Sequence, residues 1–378
     1  MPNRFGIYVH IPFCIHKCSY CDFYSFTRFE PADFFKWQDR VLREVEESAS
    51  WLGSAFPGSR KVSSIFFGGG TPSLVPTKIL GSVFKALSGS FPFDEGIEIT
   101  LEANPETVTP EFCDGLMAHT PVNRVSLGAQ SFQAVYLEKL ERTATAESVV
   151  RAVSLLRAAG VENLNLDLIF AIPGQSLEES LDDIREAIRL KPNHLSFYNL
   201  SLKPGHSLFT KLPSDDFSAD LYEAGVRLLE NEGYLQYEIS NFARAGLASR
   251  HNILYWSGGD YLGLGPSAAS RIFGRGVFHH RKALSDFSRY LDSNPFSSEG
   301  WEPNTQGQTL LEATFLELRQ NEGVHLGAFR DRYAYDLTEA KNFPLFLREG
   351  LIDREGEWLK LTARGRLLAD RVTQDLVD

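Results

Sequence analysis

The sequence predicts an α/β protein: an incomplete parallel barrel of six βα units, (βα)6, followed by a mainly helical, winged-helix-like C-terminal region. Three observations predict it. Six short runs rich in β-branched and aromatic residues, bounded by Gly, Pro or Asn, alternate with helix-period stretches, as in right-handed βαβ units on a parallel sheet. Unusual, chemistry-bearing strings follow those runs, where parallel barrels gather functional residues. After residue 200 the alternation stops. A doubly wound open sheet is the competing architecture.

In order, strands are expected at 5–11, 62–67, 97–102, 124–128, 163–169 and 194–200, and helices near 31–53, 76–90, 110–119, 133–140, 145–159 and 177–190. CIHKCSYC follows the first strand and GGGTPS the second. EANPE closes the third, GAQS follows the fourth, and DLIFAIPGQ closes the fifth. Residues 201–216 read as a loop, then a helix runs to about 232. The stretch 241–275 holds many Gly and aromatic residues with no clear period, and 291–308 reads as a linker or exposed loop. Toward the end, an apparent hairpin, GLIDREGEWLKL, precedes a final helix. The expected division is 1–232 for the core and 233–378 for the C-terminal domain.

The chain has 378 residues, 43% hydrophobic and 23% charged, enough to bury a full core. Its net charge of −11 disfavours non-specific nucleic-acid binding, which depends on Lys and Arg neutralising phosphates. No apolar run reaches the ~20 residues of a membrane span. MPNRFGIYVHIPFC lacks the core and cleavage site of a signal peptide, so a cytoplasmic protein is expected.

Of four cysteines, Cys14, Cys18 and Cys21 form C-x3-C-x2-C, and Cys113 stands apart at a position suited to the buried side of a helix. Clustered thiols in a reducing compartment point to metal rather than disulfides. A [4Fe–4S] cluster ordinarily takes four cysteines. Three on one loop leave an iron open to chelation by an amine and a carboxylate, and an electron from such a cluster can cleave a carbon–sulfur bond in a bound sulfonium, the radical chemistry of S-adenosyl-L-methionine. The competing use is a Cys3His zinc site with His16, although zinc modules usually pair cysteine dyads.

HIPFCIHKCSYCDF with FFGGGTPS resembles the coproporphyrinogen III dehydrogenase superfamily of radical SAM proteins, and within it the HemW branch of heme chaperones. The resemblance runs from residue 8 to about 366. It implies a TIM-like radical SAM barrel, a [4Fe–4S] cluster on Cys14, Cys18 and Cys21, and S-adenosylmethionine contacts from Tyr8, Tyr20, Gly69, Gly70, Thr71, Glu102, Gln130, Arg142 and Asp167. Within that set it implies the methionyl amine near the glycines, the methionyl carboxylate near Arg142 and ribose hydroxyls near Asp167. HNILYW, 251–256, matches the motif associated with heme, making His251 the candidate heme ligand. No residue is assigned a catalytic role, and the heme acceptor protein is left open. Against the dehydrogenase, Phe23 stands where that enzyme has a further cysteine, and the chain starts directly at the first strand. The sequence also departs from the branch. Ala144 and Ala269 replace usual histidines, and Lys203 and His206 stand where an acidic residue and Thr are common. A dehydrogenase, or a radical SAM enzyme on another substrate, is the alternative activity.

Overall fold

The computed structural model describes residues 4–56, 60–294 and 300–377. Six βα units come first: β1 (Arg4–Ile11), α1 (Pro31–Ala55), β2 (Lys61–Gly69), α2 (Thr77–Ser90), β3 (Phe93–Ala103), α3 (Pro110–His119), β4 (Arg124–Gln130), α4 (Ala134–Lys139), α5 (Ala146–Ala158), β5 (Asn163–Phe170), α6 (Leu177–Arg189), β6 (His194–Asn199) and α7 (Asp215–Asn231). Strands β1 to β6 lie side by side in sequence order, all parallel. A doubly wound sheet would reverse its order midway, so the barrel expectation holds and the competing architecture does not.

Alternation along these strands explains why they form a barrel wall. Ile7, Val9, Ile65, Phe67, Leu101, Val125, Leu127, Leu164, Leu166, Leu195 and Phe197 are buried and join the apolar residues of the helices in one core. The residues between them are largely polar: Ser64, Thr100, Glu102, Arg124, Ser126, Asn165, Asp167, His194 and Ser196. With a side-chain period of two, one set faces the helices and the other the barrel interior. Local signals set the helix starts. Thr145 with Ser148, and Ser176 with Glu179, form capping boxes at α5 and α6.

The sheet does not stop at residue 232. Strands β7 (Leu235–Glu238) and β8 (Asn241–Ala243) add antiparallel beyond β6. After the short helix α8 (Arg250–Trp256), β9 (Asp260–Leu264) pairs parallel with β1, and β10 (Ala269–Gly274), β11 (Val277–Lys282) and β12 (Glu302–Pro303) extend that edge antiparallel. Twelve described strands form this sheet, and its ends, β7 and β12, are not paired with each other. The expected boundary at 232/233 therefore falls inside a continuous sheet. A second apolar core begins with Phe278 and Leu310 and gathers the C-terminal helices. The expected hairpin is present, pairing Ile352–Glu355 with Trp358–Leu361. The expected linker 291–308 lies partly outside the described residues and otherwise ends in the start of a helix, Gln306–Leu318.

Candidate functional site

The loop after β1 is fastened at its base. Phe13 and Phe26 pair as a bridge, Phe26 N–H donates to Pro12 O (2.9 Å) and Cys14 N–H to Phe26 O (3.1 Å). Around Phe13 stand Phe26, Phe29, Phe34 and Phe287, with ring centroids 4.8–5.7 Å away. Between these anchors the chain from Cys14 to Ser25 loops over the strand ends. Cys14, Cys18 and Cys21 are unoxidised and all line one cavity of about 560 Å³. Among the described residues no three His, Cys, Asp or Glu side chains converge on a single ion. A cuboidal cluster gives each thiolate its own iron, whereas zinc requires convergence. Cys113 is buried in the apolar core, as expected.

A ring of hydrogen bonds joins the thiols to three other strands. Thr71 Oγ1 donates to Cys14 Sγ (3.5 Å), and Asn104 Nδ2 donates to Thr71 Oγ1 (3.0 Å). Arg142 then closes the ring, donating to Asn104 Oδ1 (3.0 Å), Gly128 O (3.0 Å) and Cys18 Sγ (3.6 Å). Its Nε is buried without a hydrogen-bond partner, a donor left over for a ligand. Gly70 lets the second strand pass close under the loop: its N–H donates to Ile11 O (2.6 Å), and Thr71 N–H to Phe13 O (2.8 Å). Gly69 has φ +111, and a Cβ there would lie 2.5 Å from the His10 ring, so glycine alone suits the position.

Deeper in the cavity, Glu102 accepts from Gly69 N–H (3.0 Å). Burial, then the neighbouring Asp167 carboxylate, push its pKa up to about 8. Asp167 accepts from Ser126 Oγ (3.1 Å) and Asn165 Nδ2 (2.8 Å), and burial raises its pKa too. Gln130 ends β4 in the left-handed region at φ 66, a strained conformation that its surroundings must enforce. The following loop is pinned by Asp183 of α6, which accepts from Ser131 Oγ and Phe132 N–H, each at 2.7 Å.

Eleven of the thirteen expected site residues thus line one cavity: Cys14, Cys18, Tyr20, Cys21, Gly69, Gly70, Thr71, Glu102, Gln130, Arg142 and Asp167. Tyr8 and His251 do not. Tyr8 stacks behind Phe66 (6.2 Å between centroids), and its hydroxyl is bonded to His10 Nδ1 (2.9 Å). His251 is 2% exposed. Its Nδ1 is bonded to Ser64 Oγ (2.9 Å) and its ring stacks on Phe66 (5.1 Å between centroids). Glu98 holds the start of α8, accepting from Arg250 N–H and His251 N–H, both 3.0 Å. Ser64 and Glu98 precede Gly68 and Glu102 by four strand residues, roughly 13 Å back from the mouth. Of HNILYW, only Asn252 reaches the lining of the cavity. The motif packs at the inner end, because Glu98 caps its helix there.

The substituted positions also have places. Ala144 is buried, Ala269 pairs with Lys282 at the start of β10, and His206 Nδ1 accepts from Leu208 N–H in a local turn. Lys203 pairs with Asp22 (2.7 Å), linking the loop after β6 to the cysteine loop. Sequence reasoning missed Asn104, Arg124, Ser126, Asn165 and Asp183. Two of them, Asn104 and Asn165, lie two residues from the flagged Glu102 and Asp167 and could have been found by that step.

Residues 8–187 match the Radical SAM superfamily. The chain is 39% identical over 271 residues to "Heme chaperone HemW" of Haemophilus influenzae, covering 71% of this chain and 70% of that one. It is 32% identical to "Heme chaperone HemW" of Lactococcus lactis, covering 98% of this chain and 96% of that one. Among solved structures it superposes on coproporphyrinogen III oxidase (HemN) from Escherichia coli with a TM-score of 0.81 at 22% identity, covering 99% of this chain and 90% of that one. The last likeness concerns the fold alone.

Proposed function

This chain belongs to the HemW family of heme chaperones in the radical SAM superfamily, and from that premise we propose that it carries heme under the influence of a cluster and S-adenosylmethionine held in the barrel cavity. The observation that carries the site is the presence of three thiols, not four, in the lining of the cavity that also presents Arg142 with its unpartnered Nε. That donor set fits a [4Fe–4S] cluster with one open iron. When bound, such a cluster supplies an electron and a chelation point for the methionyl amine and carboxylate of S-adenosylmethionine.

The chain's own residues then have distinct tasks. Cys14, Cys18 and Cys21 hold the cluster. Gly69 and Gly70 let backbone approach the cofactor, and Thr71 and Tyr20 border it. Glu102 accepts from the N–H groups of the methionyl amine, Arg142 takes the carboxylate, and Asp167 the ribose hydroxyls. Gln130 borders the same cavity, and Tyr8 packs against Phe66 outside it. The ionised form of Glu102 is the stronger acceptor, so the ligand must displace the proton that burial keeps on it.

For heme, apolar surface is offered near the mouth by Phe23, 60% exposed on the cysteine loop, with Tyr198 and Leu200 on the cavity wall. His251 remains our proposed residue for donating to a heme iron. Its buried Nε2 has no hydrogen-bond partner, a cost that ligation would relieve. As placed it does not fit a macrocycle, since Phe66 and Tyr255 flank its ring. Ligation requires α8 to turn the ring outward. We place the protein in the cytoplasm; no described helix is long and apolar enough to cross a membrane.

The test is anaerobic reconstitution followed by a heme titration. About four irons per chain and a heme-dependent Soret shift are expected, and the iron should vanish when Cys14, Cys18 and Cys21 are replaced by Ala. Absence of any Soret shift in the parent would sink the chaperone reading for this chain. An unchanged titration in His251→Ala would keep heme and remove His251. Consumption of coproporphyrinogen III with S-adenosylmethionine would favour the dehydrogenase instead.

A further inference from the structure

Along the cofactor cavity, whose lining includes Asn165 and Asn252, runs a file of buried and half-buried polar side chains to which the proposed cofactor contacts assign no role. Asn165 of β5 is 1% exposed and His194 of β6 is fully buried. Asn165 Nδ2 lies 2.8 Å from Asp167 Oδ1 and 2.7 Å from Ser126 Oγ, and its Oδ1 lies 2.6 Å from His194 Nδ1. On the other side of the ring, His194 Nε2 lies 2.8 Å from the Tyr237 hydroxyl of β7. That hydroxyl lies 3.1 Å from Asn252 Nδ2, on α8. Five side chains from four elements make a single file between α8 and Asp167.

Donor and acceptor chemistry gives this file one direction. An ionised carboxylate only accepts, so Asn165 turns its amide nitrogen to Asp167 and its oxygen to His194. His194 must then donate from Nδ1. Burial holds its ring neutral, with a pKa well below the usual value, so Nε2 accepts, and the Tyr237 O–H is the donor. The Tyr237 oxygen, its proton spent, accepts from Asn252. Every N–H and O–H in the file points toward Asp167. Polarised bonds in series strengthen one another in a low-dielectric interior.

We propose that Asn252, Tyr237, His194 and Asn165 are positioning residues, a one-way hydrogen-bond relay from α8 that orients Asp167 for the cofactor. The proposal rests on the reading that Asp167 contacts S-adenosylmethionine. It gives Asn252, the second residue of HNILYW, a task separate from heme ligation: reporting the seat of α8 to the cofactor site.

The test measures S-adenosylmethionine affinity on the reconstituted full chain. Tyr237→Phe keeps the ring and removes the hydroxyl, leaving His194 Nε2 and Asn252 unpaired. It should weaken binding about fivefold to tenfold. Asn252→Asp, which replaces the donor by an acceptor, should do the same with iron content unchanged. In an Asp167→Asn background, Tyr237→Phe should have no further effect, because the relay acts through that carboxylate. Nitrogen-15 NMR of the imidazole should find His194 as the Nδ1–H tautomer in the parent. Parent-like affinity in both single variants overturns the relay. So does an equal loss from Tyr237→Phe in both backgrounds, which is what a merely structural tyrosine would give, or an Nε2–H tautomer. Parent-like affinity in Asp167→Asn alone would instead overturn the cofactor role of Asp167, and the relay's purpose with it.

Discussion

Replacing Gly70 by alanine should empty the cluster site. A Cβ at this position would lie 2.6 Å from Phe13 O, 2.9 Å from Ile11 O and 3.0 Å from Cys14 Sγ, whereas ordinary contact begins near 3.4 Å. The nearest atom must retreat by about 0.8 Å, and it is backbone, so no side chain can swing aside. Both oxygens also accept the hydrogen bonds that fasten the loop to β2. The displacement therefore passes to Cys14. Metal–ligand distances tolerate only about 0.2 Å, so iron binding should fall well below the four per chain of the parent. Overpacking of this kind costs about 1–3 kcal/mol, which lowers Tm by several degrees in a chain of this size. Gly89→Ala is the control. Nothing lies within 4 Å of its added methyl, on α2, and alanine is the better helix former by up to about 1 kcal/mol. Iron determination and thermal melts after anaerobic reconstitution decide the matter. A Gly70→Ala protein with full iron and an unchanged melt would refute the steric argument. An equal iron loss in Gly89→Ala would show that the effect is not local.

Three further outcomes follow from the same geometry. S-adenosylmethionine affinity should rise with pH up to about 8, by at most tenfold per unit, because Glu102 with its pKa near 8 must lose a proton to accept fully from the methionyl amine; a pH-independent affinity, or the same slope in Glu102→Gln, would contradict this. Arg142→Lys should keep iron but weaken S-adenosylmethionine at least tenfold, since a single ammonium cannot reproduce the fork that reaches Asn104, Gly128 and Cys18; equilibrium dialysis showing parent affinity would count against it. Glu98→Gln weakens the acceptor for Ser249, Arg250 and His251, and should cost about 1–3 kcal/mol; an unchanged denaturant midpoint would mean that α8 is held by other contacts.

The six parallel strands were legible because each carries a two-residue alternation between Gly, Pro and Asn stops, and none begins or ends more than a few residues from its expected limits. After residue 232 the hairpin at 352–361 was legible, but the strands that extend the large sheet were not. Strands such as Leu235–Glu238 and Asn241–Ala243 are three or four residues long, too short for periodicity to register, and only pairing with distant strands defines them. Site residues at strand ends stood out by type. Ser126 did not, since an isolated Ser in a strand carries no signal until its neighbours across the sheet are known. His251 shows the opposite failure. Its motif was visible, but the Glu98 cap that draws it inward comes from a residue 153 positions away.

Phe66 stacks with both Tyr8 and His251, each ring inclined by 28° to its own, while it also forms part of the cavity wall. A shared wall is a thermodynamic contract between two ligands. If heme draws His251 outward, Phe66 loses a neighbour and the cofactor meets a softer surface. Reciprocity then requires S-adenosylmethionine to alter heme affinity by the same factor as heme alters its own.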